Sequence, residues 1–308
     1  MKLIFAQRLG PWLARNPGIL HAVWRLEALL VRGLIALFRA LGPERSATVG
    51  AWLLARFGPR ARKKQPVVAA TLRRVTPQLS EAERAKVLRA SWESTGAVFA
   101  EYAHLEALAS PERLTLNDEA DLPGLLAEKR GIIFVGAHYG NWEVLAMAAS
   151  RAGCPTMAVY APLQNPYLDE LLRAARASFG ADTMPRGAPL RPMLRHLRGG
   201  GTTGLLIDIR VPDGIPVNFF GAPTTFSATP GRLAQRTGAA IVPIWAERIA
   251  LARYRVTFEA PLFVGDDEQS VIQVTEALTA RCEAWIRHDP SQWLLANRRW
   301  DKATLATF

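Results

Sequence analysis

After Pro111 the hydrophobic period of the chain changes, and this change limits the fold more than any other feature. Short apolar, β-rich runs begin to alternate with helical stretches. The run 131–136 is followed by a helix to about 151, and 156–160 by a helix over 166–179. A helix over 189–197 precedes the run 203–208. Further on come a helix over 229–237, strands at 241–246 and 253–259, and a helix over 267–287. Strands that alternate with helices pack as a largely parallel sheet sealed by helices on its faces, the α/β class. Ligands of such sheets bind outside the carboxyl ends of the strands, so residues just past those ends are the first candidates for chemistry.

The first 110 residues read differently. Helical patterns run through 47–57 and 66–75, and Ser80-Glu81-Ala82-Glu83 is a capping box opening a helix to about 108. The expected division is a helical region at 1–110 and an α/β unit at 111–308. Residues 19–41 form one helix in which no window reaches the roughly 18 uncharged apolar residues of a membrane span. Arg25, Arg32 and Arg39 interrupt it, seven apart and therefore in one stripe, with His21 beside them. The opposite arc holds Val23, Trp24, Leu30, Val31, Leu34, Ile35 and Phe38, flawed by Glu27. Such a helix either packs on its own domain or lies in a membrane interface with its arginines at the phosphates. Arg60, Arg62, Lys63 and Lys64, with tryptophans at 12, 24 and 52, favour the membrane.

The net charge of +11 favours anionic partners: a lipid leaflet, an acidic protein, a phosphorylated substrate or nucleic acid. Interleaved aromatic and basic residues on a sheet, the mark of nucleic-acid binding, are absent, so nucleic acid is not an expected partner. The start Met-Lys-Leu-Ile-Phe-Ala-Gln-Arg lacks the pattern of a secretory signal. Two cysteines, Cys154 and Cys282, provide neither a disulfide framework nor metal spacing, and fit a reducing compartment.

The strand Ile132-Ile133-Phe134-Val135 ends in Gly136-Ala137-His138-Tyr139-Gly140-Asn141-Trp142-Glu143. This places His138 at the lip of the sheet, with Glu143 five residues on and able to fold back to orient it. Histidine is the side chain best suited to accept a proton near neutrality, and a carboxylate fixes its tautomer. The spacing alone arises by chance in roughly one case in ten, and the strand context gives it weight. None of the other histidines, His21, His104, His196 and His288, has an acid five positions downstream. Asp208 also ends an apolar run, as a site residue or a cap, and Arg210 follows it. Arg191, Arg195 and Arg198 share a helix face, either solvated or a dock for an acidic protein or phosphates, and Arg173 and Arg176 are spaced similarly. Phe219-Phe220-Gly221 either lines an acyl groove or plugs the core. Walker, Gly-x-Gly-x-x-Gly and Gly-x-Ser-x-Gly loops and paired metal histidines are missing, so nucleotide, serine-hydrolase and zinc chemistry are unsupported.

His138-Tyr-Gly-Asn-Trp-Glu143 resembles the His-x4-Asp/Glu motif of the glycerolipid acyltransferase superfamily. Within it, the chain is most similar to the lipid A biosynthesis (late lauroyl/myristoyl) acyltransferases. The likeness continues through Val159-Tyr-Ala-Pro-Leu-Gln-Asn-Pro166, Asp208, Phe219-Phe-Gly221, Leu233-Ala-Gln-Arg-Thr-Gly-Ala239 with Pro243, Trp285-Ile-Arg-His-Asp-Pro-Ser-Gln-Trp293 and Asn297-Arg-Arg-Trp300. It covers essentially the whole chain.

The resemblance implies an acyltransferase-like α/β domain behind a membrane-associating helical region, at the cytoplasmic face of the inner membrane. It implies transfer of a fatty acyl group from acyl carrier protein or acyl-CoA to a hydroxyl of a lipid A precursor, with no cofactor and no metal. His138 would be the general base and Glu143 its orienting partner, with no acyl-enzyme. Asn141 and the following backbone amides are expected at the oxyanion. Arg173, Arg176 and Arg210 are expected at phosphates or the carrier. Three departures bear on substrate contacts: Ala161 stands where the family has the arginine of Tyr-Arg-Pro, Ile209 follows Asp208 in place of glutamine, and Asn297 replaces the histidine of the final block. The rival acceptor is another glycolipid, such as a phosphatidylinositol mannoside. A rival class is a basic membrane- or nucleic-acid-binding protein without catalysis.

Overall fold

The structure, a computed structural model, describes residues 15–60 and 65–307. Its amino-terminal part is helical: α1 (Pro17–Leu41), α2 (Pro43–Phe57), α3 (Gln65–Val75) and α4 (Glu81–Glu101). Ser80 opens α4 as the sequence predicts, since its hydroxyl accepts from the Glu83 amide while the Glu83 carboxylate accepts from Ser80. Helices α2 and α4 approach until their backbones touch, because Gly50 and Gly96 face each other and a Cβ on either would lie within 2.3 Å of the other's carbonyl oxygen. Trp12, Arg62, Lys63 and Lys64, and the opening Met-Lys-Leu-Ile-Phe, lie outside the described residues.

The remainder is α/β. In chain order it contains β1 (Leu114–Asp118), α5 (Leu122–Ala127), β2 (Ile132–Gly136), α6 (Glu143–Arg151), β3 (Thr156–Tyr160), α7 (Pro166–Ala177), β4 (Asp182–Pro185), α8 (Arg191–Arg198) and β5 (Thr202–Leu206). Next come the hairpin β6 (Ile215–Phe219) and β7 (Ala222–Phe226), then α9 (Thr229–Thr237), β8 (Ala240–Ala250), β9 (Arg253–Phe258) and α10 (Glu268–His288). Seven strands form the main sheet in the order β1-β9-β8-β2-β5-β3-β4. Neighbours are parallel except β8 and β9, so the expected parallel sheet carries one antiparallel pair.

Strand β2 runs through the centre, and all five of its residues are buried. Ile133 and Val135 enter a core formed with α9, α10 and the tryptophans 285, 293 and 300. Ile132 and Phe134 enter a second core under α6 with Val144, Met147 and Ile244. Alternate residues point to opposite faces, so a strand covered on both sides becomes the continuous apolar run seen in the sequence.

Helix α1 corrects the sequence reading of its faces. Phe38 is buried and Ile35, Val23 and Trp24 are part-buried, so the arc expected to meet lipid packs largely inward. Glu27 belongs to that inward face, buried and accepting from the Asn165 amide at 3.2 Å. The exposed apolar strip keeps Leu30 and Leu34 of that arc and otherwise consists of Ile19, Leu26, Leu29 and Leu37. Two of the three stripe arginines are tied to the protein, Arg25 to the Tyr167 hydroxyl and Arg39 to the Ala103 carbonyl. No described helix is long and apolar enough to cross a membrane.

Candidate active site

His138 stands just past β2, and the turn that presents it is fixed by backbone contacts. Gly140 adopts φ +56°, and a Cβ there would lie 1.9 Å from the Ala246 carbonyl oxygen, so only glycine fits. The segment after α10 pins the same turn: the Gly140 amide donates to the Gln292 carbonyl at 3.0 Å, and the Leu294 amide donates to the His138 carbonyl at 2.9 Å. The Trp142 ring packs edge-on against the imidazole with centroids 5.1 Å apart.

The carboxylate that orients His138 is Asp208. Strands β2 and β5 are parallel neighbours with Gly136 opposite Leu206, so two residues further on His138 and Asp208 emerge side by side. Their Nδ1–Oδ1 distance is 2.7 Å, and Asp208 is fully buried. The second carboxylate oxygen accepts from the Trp293 indole at 3.0 Å. A carboxylate only accepts, so Nδ1 carries the proton and Nε2 of the neutral ring is left as a base. Burial acts against the charged imidazolium, but the charge and hydrogen bond of Asp208, with the more distant charge of Glu143, outweigh it and raise the pKa of His138 above the ordinary histidine value. Burial likewise works against the Asp208 carboxylate, and His138 and the Trp293 donor outweigh it, leaving Asp208 below its usual range.

Glu143 takes another position from the one its spacing suggests. It is the first residue of α6, buried, and its oxygens accept from the Tyr102 hydroxyl at 2.7 Å and from Arg176 Nε and Nη2 at 2.8 and 2.6 Å. Its effect on His138 is therefore one of charge, with Asp208 making the direct bond. Asn141 is also corrected as an open oxyanion donor. It is fully buried, its amide donates to Glu101 at 3.0 Å and its oxygen accepts from the Glu143 backbone amide. Glu101 in turn is held by Arg248 and by the Tyr254 hydroxyl. Glu101, the last residue of α4, and Tyr102 just after it thus grip both sides of the His138 turn.

The imidazole opens on a cavity of about 380 Å³ lined by Trp142, Tyr160, Leu172, Arg176, Leu190 and Met193, among others. A narrower slot of about 80 Å³ lies between α6 and the sheet. Its walls include Gly136, Ala146, Ala149, Ala158, Ala181 and Gly204, small residues that leave room under the helix. Trp142, Val159, Arg176, Leu205 and Leu206 border both spaces. Arg176 Nη1 is buried there and has no hydrogen-bond partner among the described residues.

Other expected site residues fall elsewhere. Arg173 is half exposed and paired with Asp169 at 3.3 Å, outside the cavity wall. Arg210 lies between two residues of the wall, Ile209 and Val211, without joining it. Phe219 and Phe220 are buried, Phe219 against Phe226, Trp293 and Trp300, and Gly221 makes the β6–β7 turn at φ +69°. That loop is therefore core, not an acyl groove. Arg299 of the final block is buried with its guanidinium 3.7 Å over the Phe226 ring, and burial lowers its pKa to about 10. Both cysteines are buried thiols, and burial pushes Cys154 up to about 11 and Cys282 well above the usual value, which makes them poor nucleophiles. Among the described residues no three of His, Cys, Asp and Glu gather as a metal would require. Sequence reasoning missed Tyr102, which nothing local marks, and met Trp293 only as the last residue of a family-like block, without a role at the site.

Residues 19–302 match the family model described as bacterial lipid A biosynthesis acyltransferase. The chain belongs to this family. It is 24% identical to a lipid A biosynthesis acyltransferase of Haemophilus influenzae over 259 residues, 80% of this chain and 78% of that protein. It is 29% identical to a phosphatidylinositol mannoside acyltransferase of Mycolicibacterium smegmatis over 196 residues, 61% of this chain and 63% of the relative. A phosphatidylinositol mannoside acyltransferase of Mycobacterium tuberculosis is 27% identical over 58% of this chain and 57% of its own length. The acyltransferase is thus of the lipid A and phosphatidylinositol mannoside type.

Proposed function

We propose that the protein transfers a fatty acyl group from a thioester to a hydroxyl of a lipid A precursor, with His138 as general base and Asp208 as its orienting partner. The observation that carries this reading is the buried Asp208–His138 pair at 2.7 Å, its free nitrogen at the floor of a cavity. Nε2 takes the proton of the acceptor hydroxyl as its oxygen attacks the thioester carbonyl carbon. The tetrahedral oxyanion then collapses, the C–S bond breaks, and the leaving sulfur takes the proton back from Nε2. Asp208 stabilises the transient imidazolium. Arg176, locked by Glu143 through two nitrogens, offers its remaining Nη1 to the developing oxyanion. In this reading Glu143 positions that donor. The small-residue slot receives part of the hydrocarbon chain.

The exposed strip of α1 rests in the interface of the inner membrane at its cytoplasmic face, bringing the cavity to its lipid acceptor. Acyl carrier protein or acyl-CoA supplies the thioester, and no resident cofactor takes part. The higher identity to the mannoside acyltransferases keeps a phosphatidylinositol mannoside as the second acceptor to be assayed. The test is transfer of a radiolabelled acyl group by purified protein in mixed micelles holding each acceptor in turn. Labelled lipid A precursor is the expected product, and His138→Ala should abolish it while the protein still folds and binds vesicles. Near-normal turnover by that variant would remove His138 from the mechanism, and label in the mannoside alone would reassign the acceptor.

A further inference from the structure

Between Asp182 and Asp208 the chain contains no acidic residue, yet it contains Arg186, Arg191, Arg195 and Arg198, all exposed. Several exposed arginines elsewhere have carboxylate partners, as in Arg89–Glu93, Arg130–Glu128, Arg255–Glu247 and Arg287–Glu283. Arg186, Arg191, Arg195 and Arg198 have none among the described residues. Others such as Arg32, Arg45 and Arg56 also have none there, so it is the clustering beside the cavity that sets this group apart. Arg191, Arg195 and Arg198 recur at intervals of four and three along α8, so they share one face about 10 Å long at 1.5 Å per residue. Arg191 sits in the first turn, where a cation opposes the helix dipole and no acid compensates it. Arg198 also donates to the carbonyl of Arg236 at 3.1 Å, which brings a fifth exposed and unpaired arginine to the patch. Like charges gathered without partners on one helix face cost stability, and an outside anion relieves that cost.

The patch borders the catalytic cavity. Arg186, Leu190 and Met193 form part of its wall, and α8 carries Met193 on one face and the arginines on another. The cavity's opposite flank is α7, through Leu172 and Arg176, and α1 with its apolar strip is bonded to that flank by Arg25–Tyr167 and Asn165–Trp24. A lipid surface needs apolar side chains among its basic ones, and among the described residues of α8 and the loop before it only Leu190 is exposed and large. The charge there suits a polar, acidic partner, and the separation of flanks leaves the α1 side to the lipid.

We propose that the arginine face of α8 docks an acidic protein that carries the acyl thioester on a flexible arm, the arm entering between Arg186 and Leu190. This rests on the acyl-transfer reading above. It assigns the donor to one flank of the cavity and the acceptor to the other.

The test compares one acyl group on two donors, an acidic acyl carrier protein and free pantetheine, which keeps the thioester but has neither protein nor phosphate. The variants are Arg191→Glu/Arg195→Glu/Arg198→Glu and, as a milder change, Arg195→Glu. With the carrier donor the triple variant should raise KM by about 10- to 100-fold at unchanged kcat, as expected for loss of charge complementarity at a docking face. With acyl-pantetheine both constants should stay at wild-type values. Wild-type KM for the carrier should rise with salt, and the triple variant should lose that dependence. The proposal is overturned if KM for the carrier is unchanged, if acyl-pantetheine is affected equally, or if the variant instead loses binding to anionic vesicles. A wild-type protein inert toward both donors would refute the acyl-transfer reading itself, and the docking face with it.

Discussion

Asp208→Asn separates the two carboxylates near His138 better than any other change. The substitution keeps size and shape but removes the charge, and its amide can donate to Nδ1, favouring the tautomer with the proton on the wrong nitrogen. In the folded protein Asp208 offsets a burial that otherwise disfavours the imidazolium. Breaking a buried ion pair from one side costs about 3–5 kcal/mol. If that loss falls on the transition state, where the imidazolium forms, it corresponds to a fall in kcat of roughly 10²- to 10⁴-fold at 1.36 kcal/mol per decade. The assay is the initial rate of transfer from acyl-pantetheine between pH 5 and 9. The base must be neutral to act, so wild-type activity is low below the pKa of His138 and rises with pH through it. Because that pKa is raised, the rise should be centred above the ordinary value of about 6.5. In Asp208→Asn the remaining burial lowers the pKa, and the acid limb should move to lower pH as the maximal rate falls. Glu143→Gln should reduce kcat through Arg176 and move the limb much less. The reasoning is refuted if Asp208→Asn keeps more than a tenth of activity with the wild-type limb while Glu143→Gln produces the displaced one.

Three further outcomes follow from the geometry. Gly140→Ala combines a left-handed backbone with a Cβ 1.9 Å from a carbonyl oxygen, and should lower stability by at least about 2 kcal/mol in a urea titration. Glu101→Gln leaves Arg248 buried without its counter-charge and should destabilise by about 3–5 kcal/mol. Glu101→Gln/Arg248→Met should recover most of that loss in thermal melts, yet not the turnover lost when Asn141 is released. Leu30→Glu/Leu34→Glu places two charges on the exposed strip of α1 and should abolish flotation with anionic vesicles while sparing transfer to a detergent-dispersed acceptor. Retained flotation would assign membrane contact to another surface.

What the sequence made legible was local. The capping box at Ser80 and the apolar run 132–135 each carry their cause within a few residues, and both appear where expected. Strand β1, Leu114–Asp118, was not read because only its first residue is buried, and β4 at the other edge of the sheet has no buried residue. Edge strands of this kind lack the apolar run that marks a central one. His138 could be found from its own neighbourhood, but its partner lies 70 residues away. That pairing depends on β5 lying beside β2, which neither periodicity nor spacing encodes. Glu143 looked like the partner because five residues can fold back, but α6 begins at Glu143 and its side chain meets Tyr102 of the helical region and Arg176 of α7. Glu27 was a readable warning: a carboxylate within an apolar arc marked the face that turns toward the protein.

The indole of Trp293 reaches Asp208 from 85 residues further along the chain, and its neighbours hold the His138 turn. This ties the His138–Asp208 pair to a segment far along the chain. A chain that has folded its sheet but not yet docked residues 292–294 has its histidine and its carboxylate, but not the donor and backbone bonds that fix them. The proposed base therefore depends on a segment outside the strands that carry it. Local fraying of that segment would disarm the enzyme without unfolding it, so loss of activity on mild heating should precede loss of the sheet.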